Sequence, residues 1–154
     1  MKMEYELETE VKQLEICTRM EGVTWLATVK PNQPRSLMSQ EQYNKMNLST
    51  IKSSAVTEIT DSNGCLQTVI GEAVIDARIM VYHCDEYDEN DYKYEVTFLI
   101  CKGLSPSITF GIDFLAKNLL GVGWTPSPSG HYLMLRTLSS KEAAERYSPL
   151  NTLL

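Results

Sequence analysis

Thr109-Phe110-Gly111-Ile112-Asp113-Phe114-Leu115 is the stretch on which the architecture turns. Ile112, Leu115, Ala116 and Leu119 recur at helical spacing, which predicts a helix over 111–120 stopped by Gly121. Gly111, just ahead of that helix, lets a second backbone segment approach closely. Asp113 falls in the first turn, where a carboxylate accepts backbone N–H bonds and complements the helix dipole. Its expected role is structural, and Leu115 is the first residue of the helix's apolar face after it.

Working upstream, turn signals recur at short intervals between β-rich runs, as in an all-β barrel or sandwich. Leu14 to Met20 reads as a strand, Glu21-Gly22 as a turn, and Val23 to Val29 as the return strand. Lys30-Pro31-Asn32-Gln33-Pro34 follows, kept out of any ladder by its two prolines. Ser39 with Glu41, Gln42 and Tyr43 predicts an N-capped short helix ending near Met46. Val56 to Thr60 and Leu66 to Ile70 form a hairpin across Asp61-Ser62-Asn63-Gly64, where both residues of the Asn-Gly pair tolerate positive φ. A second hairpin pairs Glu72 to Tyr82 with Tyr92 to Lys102. Its tip, residues 85–91, holds five acids in seven residues but lacks the Gly and the closing Glu of an EF-hand loop. A solvated tip, or a contact for a basic partner, is the expectation.

Downstream, Val122-Gly123-Trp124 and His131 to Leu138 make a last hairpin across Pro126 to Gly130. Ser139-x-x-Glu142 is a capping box ahead of Ala143 and Ala144, so a short helix should follow and break before Pro149. The expected organisation is an N-terminal extension over 1–13, one domain over 14–138 and a short helical tail over 139–154.

Composition narrows the function classes. The 154 residues carry 14 Lys+Arg against 20 Asp+Glu, a formal charge of −6, with 43% hydrophobic content. Binding nucleic acid through its phosphates needs clustered Lys and Arg, and here they are dispersed. The longest apolar run, Val96 to Cys101, is too short to span a bilayer and is interrupted by Thr97. The first residues are acidic where a signal peptide would be basic and then apolar, so an intracellular protein, cytoplasmic or nuclear, is expected. Cys17, Cys65, Cys84 and Cys101 form no C-x-x-C, and His83 and His131 lack zinc-finger spacing to them. Reduced, mostly buried thiols and no metal are expected. No Gly-x-Ser-x-Gly and no phosphate-binding glycine loop occurs, since Gly121-Val122-Gly123 lacks the rest of either pattern; no cofactor is implied.

The order of elements resembles the retropepsins, the retroviral-type aspartic proteases with their retrotransposon and domesticated cellular relatives. Thr109-Phe110-Gly111 and Asp113-x-Leu115 fill the places of that family's apolar-apolar-Gly and x-Asp-x-Leu. Val69-Ile70-Gly71-Glu72 is similar to the return strand after its flap hairpin. The resemblance covers residues 14–138 and implies a mainly β, closed barrel with one or two short helices. It also implies a homodimer in which each subunit supplies one catalytic Asp. The two carboxylates share a proton, so that one activates water while the other polarises the scissile carbonyl.

The chain departs from the family at that carboxylate. Counting back from Ser36-Leu37-Met38-Ser39, the Asp-Thr/Ser-Gly-Ala positions fall on Lys30, Pro31, Asn32 and Gln33. Two ammonium groups about 4 Å apart at an effective dielectric near 20 would repel by roughly 4 kcal/mol. Pro31 removes the hydroxyl and the N–H that lock the two family loops together. Asn32 retains access to positive φ, so the turn is expected to survive without the chemistry. Asp76, Glu72 and Glu58 fall on hairpin strands, where no spacing brings a pair of them to the dyad position.

The expected function is a catalytically inactive, retroelement-derived domain for homodimerisation and protein–protein interaction. Its candidate interface is Val122, Trp124, Tyr132, Met134 and Arg136, of which Tyr132, Met134 and Arg136 share one strand face. Two alternatives stand beside it. One is an atypical active aspartic peptidase; the other is a peptide-binding module using the former substrate cleft or the acidic loop.

Overall fold

The computed structural model describes residues 14–46, 48, 51–83, 88–127 and 130–153. Nine strands and three helices follow in the order β1 (Leu14–Met20), β2 (Val23–Val29), β3 (Leu37–Ser39), α1 (Gln40–Asn44), β4 (Glu58–Thr60), β5 (Leu66–His83), β6 (Asp88–Lys102), β7 (Ile108–Phe110), α2 (Ile112–Lys117), β8 (Leu120–Ser127), β9 (Gly130–Thr137) and α3 (Ser140–Leu153). Neighbours along the sheet run β1-β2-β7-β3-β6-β5-β9-β8. Thr18↔Ile79 and Arg19↔Arg78 join β1 back to β5, which closes the first six strands into a barrel. Closure removes the unpaired edges that an open sheet would expose.

The long strand β5 shows why the barrel has one core. Ala73, Ile75, Ala77, Ile79 and Val81 are buried at alternate positions, with Val96, Phe98 and Ile100 of β6 packed in the same cluster. Period-two burial of Val, Ile and Ala is what a strand with one face on a core requires. The rings of Phe98, Phe110 and Phe114 pack in tilted contact through that core at centroid separations of 5.6 and 4.9 Å. A smaller cluster, Leu37, Val69, Leu99 and Cys101, lies beneath the β4–β5 hairpin.

Several local expectations change. The two hairpins share a single strand, β5, with a bulge between Val69 and Gly71 in its pairing with β6. The two-residue positive-φ turn occurs at Glu21-Gly22 (φ 53° and 73°). At the second turn Gly64 alone is left-handed, and the Asp61 carboxylate accepts from Asn63 N–H (2.9 Å) and Cys65 N–H (3.0 Å). That side-chain cap stabilises a three-residue loop in place of an Asn-Gly turn. Helix α2 ends at Lys117, because Leu119 takes positive φ (53°) and turns the chain so that Leu120 enters the core; Gly121 already lies in β8.

The acidic tip is shorter than expected, since β6 begins at Asp88 and pairs up to His83; residues 84–87 lie outside the described residues. Cys17 and Cys65 are exposed, on an outer strand face and in a hairpin loop, and Cys101 is buried, its thiol pushed up to about 11 by burial and then by the charge of Asp61. The expectation of mostly buried thiols therefore fails, while Cys84 and the 1–13 extension lie outside the described residues.

The tail is integral to the domain. Helix α3 runs through Pro149 instead of stopping before it, since a proline removes one helical hydrogen bond without forbidding a helix whose earlier turns are docked. The capping box forms as expected, with Glu142 N–H on Ser139 Oγ and Ser139 N–H on Glu142 Oε1, both 3.1 Å. Tyr147 is buried in the main cluster, and its hydroxyl donates to Leu120 O. Arg136, 3% exposed, reaches Glu142 with two nitrogens at 3.1 and 3.3 Å.

Burial alone would raise the Glu142 pKa, but the Ser139 N–H and Arg136 outweigh it and hold it below the ordinary value. A lowered folded pKa means the pair's stabilisation is complete above the ordinary glutamate range and lost as pH falls through the lowered value. Arg136→Met should cost about 3 kcal/mol in urea unfolding at neutral pH, because Glu142 loses its partner. Glu142→Gln should cost about 1 kcal/mol, and that difference from wild type should shrink toward zero in acid.

Candidate functional site at the barrel floor

The loop between β2 and β3 is held against the entry to α2 from several directions. Lys30 N–H donates to Phe110 O (2.9 Å), Gln33 N–H closes a turn onto Lys30 O (3.0 Å), and Ile112 N–H donates to Gln33 O (2.8 Å). Ser36 lies at the crossing and is fully buried. Its hydroxyl donates to Asp113 Oδ1 (2.8 Å) and accepts from Gly111 N–H (3.0 Å), while its own N–H donates to Asp113 Oδ2 (3.1 Å). Arg35 Nε lies 3.4 Å from the same Oδ2, and Phe114 N–H donates to Oδ1 (2.8 Å).

Asp113 lies in the first turn of α2, with its carboxylate engaged by Ser36, Arg35 and Phe114 N–H. It joins two chain segments and is not the N-cap itself, a place taken by Gly111. Gly111 is required by contact: a Cβ there would sit 2.6 Å from Gln33 O and 2.8 Å from the carbonyl of Arg35. Leu115 is buried in the barrel core.

Asn32 does not use positive φ. With Pro31 at its second position and negative φ throughout, the Lys30–Gln33 turn has the pattern of type I, for which proline is preorganised. Lys30 is half-buried, and among the described residues it has no ion-pair partner. Its charge nevertheless reaches the β4–β5 hairpin loop. Burial would raise the Asp61 pKa, but bonds from Cys65 N–H, Gln67 and Asn63 N–H, with the charge of Lys30, bring it below the ordinary value. Gln33 is 1% exposed, and its Nε2 has no hydrogen-bond partner.

The structure separates the five candidate interface residues. Val122 is buried in the core, and Arg136 is buried against Glu142, so neither offers free surface on the protomer. Met134 is half-buried, and Trp124, at 38%, is exposed on β8, the outermost strand of the sheet. Tyr132 pairs with Thr125 through its backbone. The partners of Asp113, Arg35 and Ser36, and the approach of Asp61 to Lys30, gave no sequence signal, because isolated polar residues carry no periodicity. Among the described residues there is no group of three or more His, Cys, Asp or Glu placed to hold a metal ion, and no helix long and apolar enough to cross a membrane.

No protein-family model and no curated protein matches the chain. Solved structures do. The retroviral protease-like domain of Ddi1 from Leishmania major superposes with a TM-score of 0.50 at 11% identity, over 81% of this chain and 96% of that one. A retropepsin-like aspartic protease from Rickettsia conorii gives 0.43 at 12% identity, over 88% and 100%. The fold is retropepsin-like: mainly β, a closed barrel with short helices.

Gly111→Ala should be among the most damaging substitutions in the chain, because the atoms its Cβ meets are backbone and have no rotamer to change. A loss of about 3 kcal/mol in chemical unfolding is expected. Ser36→Ala should cost about 2 kcal/mol, since it strips a donor from Asp113 and an acceptor from Gly111 N–H.

Proposed function

We propose that this chain is a catalytically inactive retropepsin-like domain that acts as a homodimerisation and protein-interaction module. The observation that carries the reading is the Lys30-Pro31-Asn32-Gln33 turn, which takes the place that the sequence resemblance gives to the catalytic Asp motif. Its hydrogen bonds to Phe110 and Ile112 support a loop kept for structure. Two carboxylates are engaged in other bonds: Asp113, next to Ile112, with Ser36 and Arg35, and Asp61, under the charge of Lys30, with its own hairpin loop. Those bonds support a site without the proton-sharing carboxylate pair that aspartic protease chemistry needs.

Dimerisation draws support from Trp124, a large aromatic left exposed on the outermost strand, the type of side chain that anchors interfaces. The half-buried Met134 lies on the paired strand opposite Gly123, beside it. An interface built there uses the far part of the β8–β9 hairpin, with Val122 and Arg136 supporting it from inside the protomer.

Light scattering at micromolar concentration should return twice the protomer mass, and Trp124→Ala should weaken the dimer by about tenfold or more. A monomer at every accessible concentration overturns the homodimer. Incubation with unfolded protein from about pH 3 to pH 7 should give no cleavage, whereas acid-favoured, pepstatin-sensitive cleavage would establish an active peptidase instead.

A further inference from the structure

Three cations stand in a row across the outer face of the barrel. Arg19 of β1 is paired with Arg78 of β5, and Arg78 is paired on its other side with Lys93 of β6. All three side chains are exposed, while Thr18, Met20, Ala77 and Ile79, their neighbours along β1 and β5, are buried. Two residues further along each strand stands an exposed acid: Glu21 just past β1, Asp76 on β5 and Glu95 on β6, the last two paired with each other. Like charges set directly opposite one another destabilise a sheet. The two rows do not neutralise each other within the protomer. Among the described residues Arg19, Lys93, Glu21, Asp76 and Glu95 form no ion pair, and Arg78 pairs with Asp91 at 3.9 Å. Arg19, Glu21, Asp76, Arg78 and Lys93 instead surround an open hollow of about 250 Å³.

The spatial order of the charges is the same on all three strands. β1 and β6 run base before acid, β5 runs acid before base, and β5 is antiparallel to both. The rows are therefore side by side and about 7 Å apart, the spacing of alternate residues in a strand. On β5 exposed apolar side chains flank them, Met80 beyond the cation and Val74 beyond the acid, 48% and 45% exposed.

We propose that this face docks on the same face of a second copy of the chain. A two-fold axis lying between the rows and parallel to them sets the cations of each copy against the acids of the other. Arg19 then meets Glu21 of the second copy, Arg78 meets Asp76 and Lys93 meets Glu95, and the symmetry repeats each pair. The same axis brings Met80 against Val74 at both ends of the charged patch. Two sheets packed face to face with nearly aligned strands are a common β arrangement. Charges that repel along each row in the protomer gain opposite partners across the axis, which favours this one register over others. The face is separate from the β8–β9 hairpin, so the inference goes beyond the contact at Trp124. A protomer that uses both faces assembles beyond the dimer.

Light scattering on the full chain tests it. In a Trp124→Ala chain, which lacks the hairpin anchor, protein above about 100 µM in low salt should still return a dimer. Raising salt to about 0.5 M should weaken that dimer at least about tenfold, because salt screens exposed charges. Wild type under the same low-salt conditions should exceed twice the protomer mass. Added to Trp124→Ala, Arg78→Glu and Asp76→Lys should each weaken self-association at least about tenfold. Mixed in equal amounts, the two variants should associate at least as tightly as their parent, since positions 78 and 76 then face each other with opposite charge in both directions. Lys93→Glu and Glu95→Lys form a second such pair in case a thermal melt shows either of the first to be misfolded. A Trp124→Ala chain that is monomeric in low salt, charge variants that associate as their parent does, or a mixture that stays monomeric overturns the inference. A salt-insensitive wild-type dimer abolished by Trp124→Ala keeps the hairpin contact and removes this face. A salt-sensitive dimer unchanged by Trp124→Ala does the reverse.

Discussion

The hydroxyl of Ser36 and the carboxylate of Asp113 hold together two parts of the chain separated by 77 positions. Around that 2.8 Å bond the two groups are further engaged: Gly111 N–H donates to the hydroxyl, Ser36 and Phe114 N–H donate to the carboxylate, and Leu99 N–H donates to Ser36 O. In a buried setting such a network is effective because each member is satisfied, and the loss of one leaves the others stranded. It fixes β3 beside β7, the start of α2, and the position of the Lys30–Gln33 turn. The barrel brings the segments near one another, and this crossing sets their relative placement.

The same crossing explains how the turn keeps its place with unusual residues in it. Its position depends on main-chain bonds from Lys30, Gln33 and Ile112 and on the close approach of Gly111, none of which needs a particular side chain at 30 to 33. The side chains there are released from structural duty. Pro31 suits a type I turn, Gln33 is packed away, and Lys30 supplies a cation opposite the Asp61 loop. The backbone architecture and the chemistry at its centre have separate physical causes, so the fold does not fix the activity.

What the sequence disclosed follows the same division. β1, β2, the short helix α1, the capping box at Ser139 and the Gly111-x-Asp113 entry were legible because each rests on local periodicity or capping chemistry. The continuous β5 was not, since a bulge between Val69 and Gly71 shifts the strand's register and hides one element as two. The turn at Asp61–Gly64 was decided by the Asp61 side chain, which caps its loop where a dipeptide signal pointed to Asn-Gly. The committed state of Asp113 toward Arg35 and Ser36 came only from tertiary approach.

Burial of Leu135 and Arg136, on the two faces of β9, places a further constraint on any interface. Leu135 faces the barrel core, while Arg136, on the opposite face, is secured by Glu142 at the start of α3, and Tyr147 ties the same helix to Leu120. The base of the β8–β9 hairpin is therefore completed by the protomer's own C-terminal helix. In the proposed dimer, the part of the hairpin left for a second copy is further out, where Trp124 is exposed and Met134 half-buried. Pro126 lies along that stretch of β8 and lacks an N–H, which weakens simple edge-to-edge strand pairing there. For the proposed dimer this favours side-chain packing around Trp124 over extension of the sheet as the contact.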